Sequence, residues 1–260
     1  MKYPIPRRSA DALGAIRGKP TNPGLIFDRF APDWGDAPSK NEVAAWKKAG
    51  LQAVIDHRAD SSLLEAYKIR WETVVKDCHA VPFSMKTDWR FIAGLGNKGP
   101  LEVGFTFDRY GFPILPGSSV KGLARAGARE KYGVPDDTDH PEFIAVFGST
   151  PKSGEDDSVA ATGKAIFFDA IPAHIPQIQM DIMNPHYPDY YQKKAFPTDW
   201  QSPIPVFFLT VAPGQEFCFA VGWRGRLDVE LQDKAVEWLK FGLEDLGAGA
   251  KTSAGYGYFT

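Results

Sequence analysis

The sequence predicts an α+β sandwich. Three observations carry the prediction: helical periodicity up to Val75, a shift to period-two alternation from about Val81, and a late amphipathic helix followed by a closing strand pattern. With 260 residues, 43% of them hydrophobic, the chain is long enough to bury a substantial core as one elaborated domain or two small ones.

Residues 1 to about 37, rich in Pro, Gly and Arg, read as an irregular arm that wraps a neighbour or as a mobile terminus. Ser39 and Glu42 form a capping-box pair, and Val43, Trp46, Leu51 and Val54 then recur at helical spacing. A second helix starts near Asp60 or Ser61, with Leu63, Leu64, Tyr67, Trp71, Val74 and Val75 as its expected buried stripe. The two are expected to make a helical hairpin ahead of the main body.

From Val81 the pattern is that of a strand, with Phe83, Met85, Trp89 and Phe91 alternating with polar residues. Gly94 to Gly104 reads as a glycine-rich hairpin connection and Phe105 to Asp108 as a strand pairing back. Gly117 to Lys131 reads as a helix and Gly163 to Ala170 as a buried strand. Between them, residues 148 to 163 carry Glu155, Asp156 and Asp157 among Ser, Gly and Pro, the composition of an exposed loop insertion. Pro203 to Val211, Pro213-Gly214, and Glu216 to Trp223 make the clearest β-hairpin in the chain, apolar on both arms. A helix from about Asp228 to Leu246 puts Leu231, Ala235, Leu239, Leu243 and Leu246 on one face, Gly247 stops it, and Tyr256 to Phe259 returns to a strand pattern. This order suggests a ferredoxin-like core over residues 79–260, with the arm and helical hairpin of residues 1–78 packed on it.

Composition removes several classes. Thirty basic against 32 acidic residues give a net charge of −2, so a nucleic-acid site has to be local rather than a global positive field. Cys78 and Cys218 match no CxxC or Cys/His spacing, which excludes a disulfide framework and a structural zinc. No stretch has 18 consecutive apolar residues, and the N-terminal MKYPIPRRSADALGAIRG has none long enough for a signal peptide, so the expectation is a cytoplasmic protein without a metal or cofactor.

Two segments carry the chemistry. In Pro113-Ile-Leu-Pro-Gly-Ser-Ser-Val-Lys-Gly-Leu-Ala-Arg-Ala-Gly-Ala-Arg129, Pro116-Gly117 makes a turn and Ser118 or Ser119 caps a helix. The amides of such a helix start suit a phosphate. Helical spacing gathers Lys121, Arg125 and Arg129 within an arc of about 80°, while Val120, Leu123 and Gly127 face the packing side. The alternative is a capped amphipathic helix with a solvated basic face. The second segment, Gly247-Ala-Gly-Ala-Lys-Thr-Ser-Ala-Gly-Tyr-Gly257, offers backbone amides at Gly247, Gly249 and Gly255, the hydroxyls of Thr252 and Ser253, and Lys251 and Tyr256. It is not a Walker A loop, because Ala250 precedes Lys251 and the order is helix, loop, strand. Its bland alternative is a flexible helix-to-strand connection.

Together these segments resemble the RAMP superfamily of CRISPR-associated proteins, whose members carry a PGSSxKGxxR-like helix start and a C-terminal GxGxKTxxGYG-like loop. Asp181-Ile-Met-Asn-Pro-His-Tyr-Pro-Asp-Tyr-Tyr191, Pro197-Thr-Asp-Trp200 and Pro203-Ile-Pro-Val-Phe-Phe-Leu-Thr-Val-Ala-Pro-Gly214 narrow the likeness to the sixth, terminal RAMP subunits of type III-B (Cmr) effectors. The resemblance covers roughly residues 80 to 259 and implies an RRM-like ferredoxin core. It also implies binding of CRISPR RNA beside other RAMP subunits and the small helical subunit, with target RNA met indirectly. In that setting the chain caps the RAMP backbone towards the 3′ part of the guide.

Some RAMP proteins cut RNA, with a positioned histidine as general base or with a loop aspartate and a divalent metal. His57, His79, His140, His174 and His186 have no evident catalytic partner, and Asp108, Asp156 and Asp157 form no spaced metal motif. The expectation is a non-catalytic subunit, against the alternatives of a RAMP endoribonuclease and a protein-only assembly adaptor. Asn184, His186, Tyr187, Tyr190 and Tyr191 form a polar aromatic cluster suited to base stacking, to subunit docking or to a buried turn.

Overall fold

In the computed structural model of the chain, residues 22–29, 40–57, 59–97, 101, 103–132, 140–149, 160–184, 187, 190, 193–198 and 205–260 are described, together with Arg8 and Asp11. Ser39, Asp156, Asp157, His186, Tyr191 and most of the N-terminal arm lie outside them. The chain divides into two compact units. One takes Met1–Asp60, Gly94–Gly111 and Ile178–Thr210, and the other Ser61–Ala93, Phe112–Gln177 and Val211–Thr260.

The first unit contains helices α1 (Pro23–Arg29) and α2 (Lys40–Asp56). The Asn22 side chain accepts from Leu25 N at 2.9 Å and donates to Arg109 O at 2.9 Å, tying the start of α1 to the 103–111 segment. Phe27, buried in α1, packs against Phe107, with ring centroids 5.9 Å apart. In α2, Leu51 and Val54 are buried as expected. The Gly94–Gly104 connection is pinched shut by Asn97 N donating to Gly94 O and Gly104 N to Leu95 O. Phe105 to Asp108 does not extend into a strand: only Phe107 takes part in a β-bridge, and Phe105 and Phe107 pack on each other at 4.8 Å.

The second unit is built on a sheet of order β1-β6-β2, with β3 also on β6. The strands are β1 (Val81–Lys86), β2 (Ala165–Phe167), β3 (Ile171–Pro172) and β6 (Glu216–Trp223). All three partners run antiparallel to β6, and β1 pairs along its length from Val81↔Val221 to Lys86↔Glu216. On one face, Ala220 and Ile171 meet Trp71 and Val75 of α3 (Ser61–Asp77), with Tyr67 and Cys218 against them. On the other, Phe217 and Phe219 pack at 6.0 and 5.5 Å on Phe259, and Phe91 closes the group at 5.5 Å from Phe259. β6 is therefore covered on both faces, which explains its nearly unbroken apolar run. In α3 the stripe narrows to Leu64, Trp71 and Val75, whereas Leu63 and Val74, expected inside, are exposed.

The predicted β-hairpin is corrected. Both arms form strands, but β5 (Val206–Val211) pairs with β4 (Ile178–Met183) in a separate two-stranded sheet. The reason is that β6 has both edges filled, by β1 on one side and by β2 and β3 on the other. The turn between β5 and β6 is instead held by Thr87: Gly214 N donates to its carbonyl at 2.6 Å and Gln215 N to its hydroxyl at 2.9 Å.

Helices α4 (Gly117–Tyr132) and α6 (Val229–Phe241) pack closely, with α5 (Pro141–Phe147) beside them. A Cβ on Gly127 would lie 2.3 Å from Trp238 O, and one on Gly242 2.8 Å from Leu123 O, so glycine at both positions permits the backbones to approach. Asp228 caps α6 by accepting from Leu231 N, and a π-helical turn (Gly242–Leu246) carries the chain on to Gly247. Ala235, Leu239 and Leu243 are buried on the expected face.

Gln232, 3% exposed, donates from its amide to His79 O at 2.8 Å and Val221 O at 2.9 Å. Gln232→Leu keeps the volume but strips two buried carbonyls of a donor, and is expected to destabilise the chain by about 2–3 kcal/mol. Chemical denaturation measures it; a change below about 0.5 kcal/mol contradicts a structural role for these bonds.

Candidate nucleic-acid interface

The strand-to-helix corner ahead of α4 is fixed before the helix begins. Leu115 and Ala170 exchange backbone hydrogen bonds at 3.2 and 2.9 Å, and Gly117 N donates to the Asp169 carboxylate at 2.6 Å. A Cβ on Gly117 would meet Phe167 O at 2.4 Å, so only glycine fits. The expected capping by Ser118 or Ser119 is corrected accordingly: the helix starts at Gly117, and the two serines are exposed in its first turn. A carboxylate of the same chain takes the first amide that was expected to face a phosphate.

Further along α4, Val120, Ala124, Gly127 and Ala128 are buried and form the packing side. Lys121 and Arg125 are half-buried and Arg129 is exposed. The Lys121 ammonium donates to Phe147 O, the last carbonyl of α5, at 2.8 Å. Burial, then the neighbouring charges of Arg125 and Arg224, hold its pKa below the usual lysine value. Arg224, just past the end of β6, is exposed; sequence reasoning missed it because nothing in the local text links it to α4.

The C-terminal glycine loop is more closed than a flexible connection. Ala250 N donates to Ile92 O, Gly257 N to Arg90 O, and Ala248 N to Gly257 O, at 2.9, 2.8 and 2.7 Å. Gly247, Gly249, Gly255 and Gly257 all have positive φ. A Cβ would sit 2.1 Å from Ile92 O at Gly249 and 1.9 Å from Ala248 O at Gly257. The glycines thus serve close packing first. Lys251, in the left-handed region at φ 62°, opens a 3₁₀ turn (Thr252–Ala254) and holds its ammonium 5.8 Å from the ring centre of Tyr256. Tyr256 is itself 9% exposed, so its ring is packed rather than displayed, and Ser253, Ala254 and Gly255 make the exposed crest. Beside this loop, on the segment zipped to it, stands Trp89, 47% exposed under the Arg90 guanidinium. An exposed Trp next to a glycine loop was expected only as part of a strand alternation.

The family profile described as RAMPs, RAMP superfamily, matches residues 83–260, which include both segments. The chain belongs to the RAMP superfamily. Within it, the chain is 33% identical over 258 aligned residues to the CRISPR system Cmr subunit Cmr6 of Pyrococcus furiosus, covering 75% of this chain and 72% of that protein. It is 29% identical over 187 residues to the CRISPR system CMR subunit Cmr6 of Saccharolobus solfataricus, covering 69% of this chain and 57% of that one. In fold it is similar to a chain of the type III-B Cmr-beta complex bound to cognate target RNA, with TM-score 0.63 and 23% identity over 86% of this chain and 75% of that one.

Of the other titratable candidates of this RAMP chain, four among the described residues pack or hydrogen-bond within the fold and one is exposed, while His186, Asp156 and Asp157 lie outside the described residues. His57 Nδ1 rests on Ala53 O, the His79 carbonyl accepts from Gln232, His140 packs edge-on against Phe143 at 5.4 Å, and His174 is exposed. Asp108 accepts from Tyr110 N at 2.9 Å. Among the described residues no group of three or more His, Cys, Asp or Glu is placed to hold a metal ion, and no helix is long and apolar enough to cross a membrane. Of the aromatic cluster, Tyr187 is half-buried, and Tyr190 lines a cavity of about 560 Å3 with Lys193, Lys194, Ala195 and Phe196.

Proposed function

We propose that this chain is a non-catalytic CRISPR RNA-binding subunit of a type III-B (Cmr) effector. In this reading a ferredoxin-like core caps the RAMP backbone towards the 3′ part of the guide, in the cytoplasm. Its partners are the other RAMP subunits and the small helical subunit, and target RNA is met only indirectly. The observation that carries the reading is the 33% identity to a Cmr6 subunit across three quarters of the chain. It is supported by two cationic, hydroxyl-bearing segments, α4 with Ser118, Ser119, Lys121, Arg125 and Arg129, and the C-terminal loop with Lys251, Thr252 and Ser253. The net charge of −2 favours a second reading, a protein-only adaptor.

Each sheltered charge-assisted contact to a phosphate contributes on the order of 1.5–3 kcal/mol, and an exposed one less. Lys121→Ala and Lys251→Ala are therefore each expected to weaken retention of guide RNA by roughly tenfold, equally across spacer sequences, and to lower the salt dependence. Filter binding over a salt series measures this, and RNA integrity in the same incubations tests the non-catalytic role. Unchanged affinity in both variants favours the adaptor. Cleavage that disappears on replacing a single His or Asp establishes an endoribonuclease instead.

A further inference from the structure

Trp89 is displayed and yet fixed. It sits on a bend just past β1, and 47% of it is exposed. The backbone is held on both sides of it. Before it, Thr87 N donates to Gln215 O at 3.0 Å and Asp88 N to Tyr258 O at 2.9 Å; after it, Arg90 O accepts from Gly257 N at 2.8 Å, and Phe91 exchanges bonds with Val211 at 3.1 and 2.8 Å. The same stretch carries the C-terminal loop, because Gly257 N is bound to Arg90 O and Ala250 N to Ile92 O. The two ends of the 250–257 loop are therefore pinned to the residues that directly follow Trp89, and Ser253, Ala254 and Gly255 make the exposed crest between those pins.

The Arg90 guanidinium stands over the indole, 5.2 Å from the ring centre. An indole left nearly half in water forgoes much of the burial that makes tryptophan favourable in a fold. The side chain has only two rotatable bonds, so a rigid bend presents it to a partner at small entropic cost. Its exposed neighbours along the chain, Lys86 and Asp88, are charged, and the crest of the loop carries only small side chains. A lone ring in such surroundings suits a nucleobase, a π-face edged with polar groups, better than the apolar centre of a subunit interface.

We propose that Trp89 is a stacking platform for one unpaired base of single-stranded RNA whose backbone follows the loop carrying Lys251, Thr252 and Ser253. The proposal rests on the RNA-binding reading above and adds to it a base contact from a residue outside both motif segments. Every base has a π-face, so the contact is independent of spacer sequence. The base takes the indole surface that Arg90 leaves open, and the guanidinium over the ring helps to fix its orientation.

The test uses the full chain and a fluorescein-labelled oligouridylate of about 20 nucleotides, titrated across a salt series, with Trp89→Ala, Trp89→Phe and Lys251→Ala beside the wild type. Trp89→Ala is expected to weaken binding roughly tenfold with the slope of log affinity against log salt unchanged, and Trp89→Phe to recover most of the loss. Lys251→Ala, by contrast, lowers that slope by about one. Trp89 is half exposed, so both of its variants are expected to melt close to the wild type. With unlabelled RNA, quenching of tryptophan emission is expected to be smaller in Trp89→Phe than in the wild type, a readout that a merely structural ring would not change. Wild-type binding that Lys251→Ala weakens but Trp89→Ala leaves unchanged overturns the stacking while leaving the RNA-binding reading intact. A loss in Trp89→Ala accompanied by a lower salt slope assigns the effect to the Arg90 charge and overturns it as well. Unchanged RNA binding by Trp89→Ala together with failure to enter a reconstituted type III-B complex assigns the ring to a neighbouring subunit, against the proposal. No binding by the wild type overturns both readings.

Discussion

Trp238→Ala is expected to lower the stability of the chain by about 3–5 kcal/mol, the range for removing a fully buried large aromatic. Trp238 on α6 is 0% exposed and stacks on Phe143 at 5.4 Å and on Phe147 at 5.7 Å, with interplanar angles of 29° and 25°. Both phenylalanines belong to α5, so this ring is what fastens that short helix to the bundle. The consequence reaches the candidate interface, because the Phe147 carbonyl is the acceptor that positions Lys121. Trp238→Phe retains a stacking partner and is expected to be milder on both counts. Chemical denaturation combined with RNA titration gives the two readouts; a loss below about 1 kcal/mol for the alanine variant contradicts this role for the ring.

Gly257→Ala is expected to cost more than about 3 kcal/mol, since strained left-handed backbone and forced overpacking contribute about 1–3 kcal/mol each. Its φ is +80° and the added Cβ would lie 1.9 Å from Ala248 O, a backbone atom that cannot rotate away. Gly255→Ala is the internal control: its φ is +87°, but nothing lies within 4 Å of the added carbon. That variant is expected to cost only about 1 kcal/mol, the conformational part alone. If the two variants are equally stable, the loop is not closed by the Ala248–Gly257 and Arg90–Gly257 bonds, and its glycines serve a flexible helix-to-strand connection, the alternative reading of the sequence.

The helices were legible because their signals are local. Apolar residues repeat at helical spacing from Val43 to Val54, from Leu63 to Val75, in Gly117 to Lys131 and in about Asp228 to Leu246, and helices form at Lys40–Asp56, Ser61–Asp77, Gly117–Tyr132 and Val229–Phe241, the last continued by the Gly242–Leu246 turn. The arrangement of the strands was less so. Val206–Val211 and Glu216–Trp223, joined by Pro213-Gly214, carry every local sign of a hairpin, yet they belong to different sheets. Which strand fills an edge depends on β1, 130 or more residues earlier in the chain, and on Thr87, whose buried hydroxyl and carbonyl seize the turn. No short-range pattern encodes that competition.

The candidate site divides the same way. The residue types at Gly117, Lys121, Arg125 and Lys251 were visible as chemistry, but their partners were not. Gly117 meets Asp169, 52 residues away, and Lys121 meets Phe147, 26 residues away. Glycine-rich text at 247–257 suggested amides offered to a ligand, whereas several of those amides and the glycine Cα faces are used inside the chain. Arg224 and Trp89 lie outside any motif, and only the backbone pairing of β6 with β2 and of residues 86–92 with the C-terminus places them beside the cationic segments.

The guide-RNA contact is tested most directly by photocrosslinking in an assembled type III-B complex, with 4-thiouridine placed along the 3′ part of the guide and crosslinked peptides identified by mass spectrometry. Crosslinks are predicted on peptides containing Lys121–Arg125 and on peptides within 247–257, at the same guide positions whatever the spacer sequence. A complex that contains the chain in stoichiometric amount but yields no crosslink to either segment contradicts guide binding and makes the chain an adaptor that touches only protein.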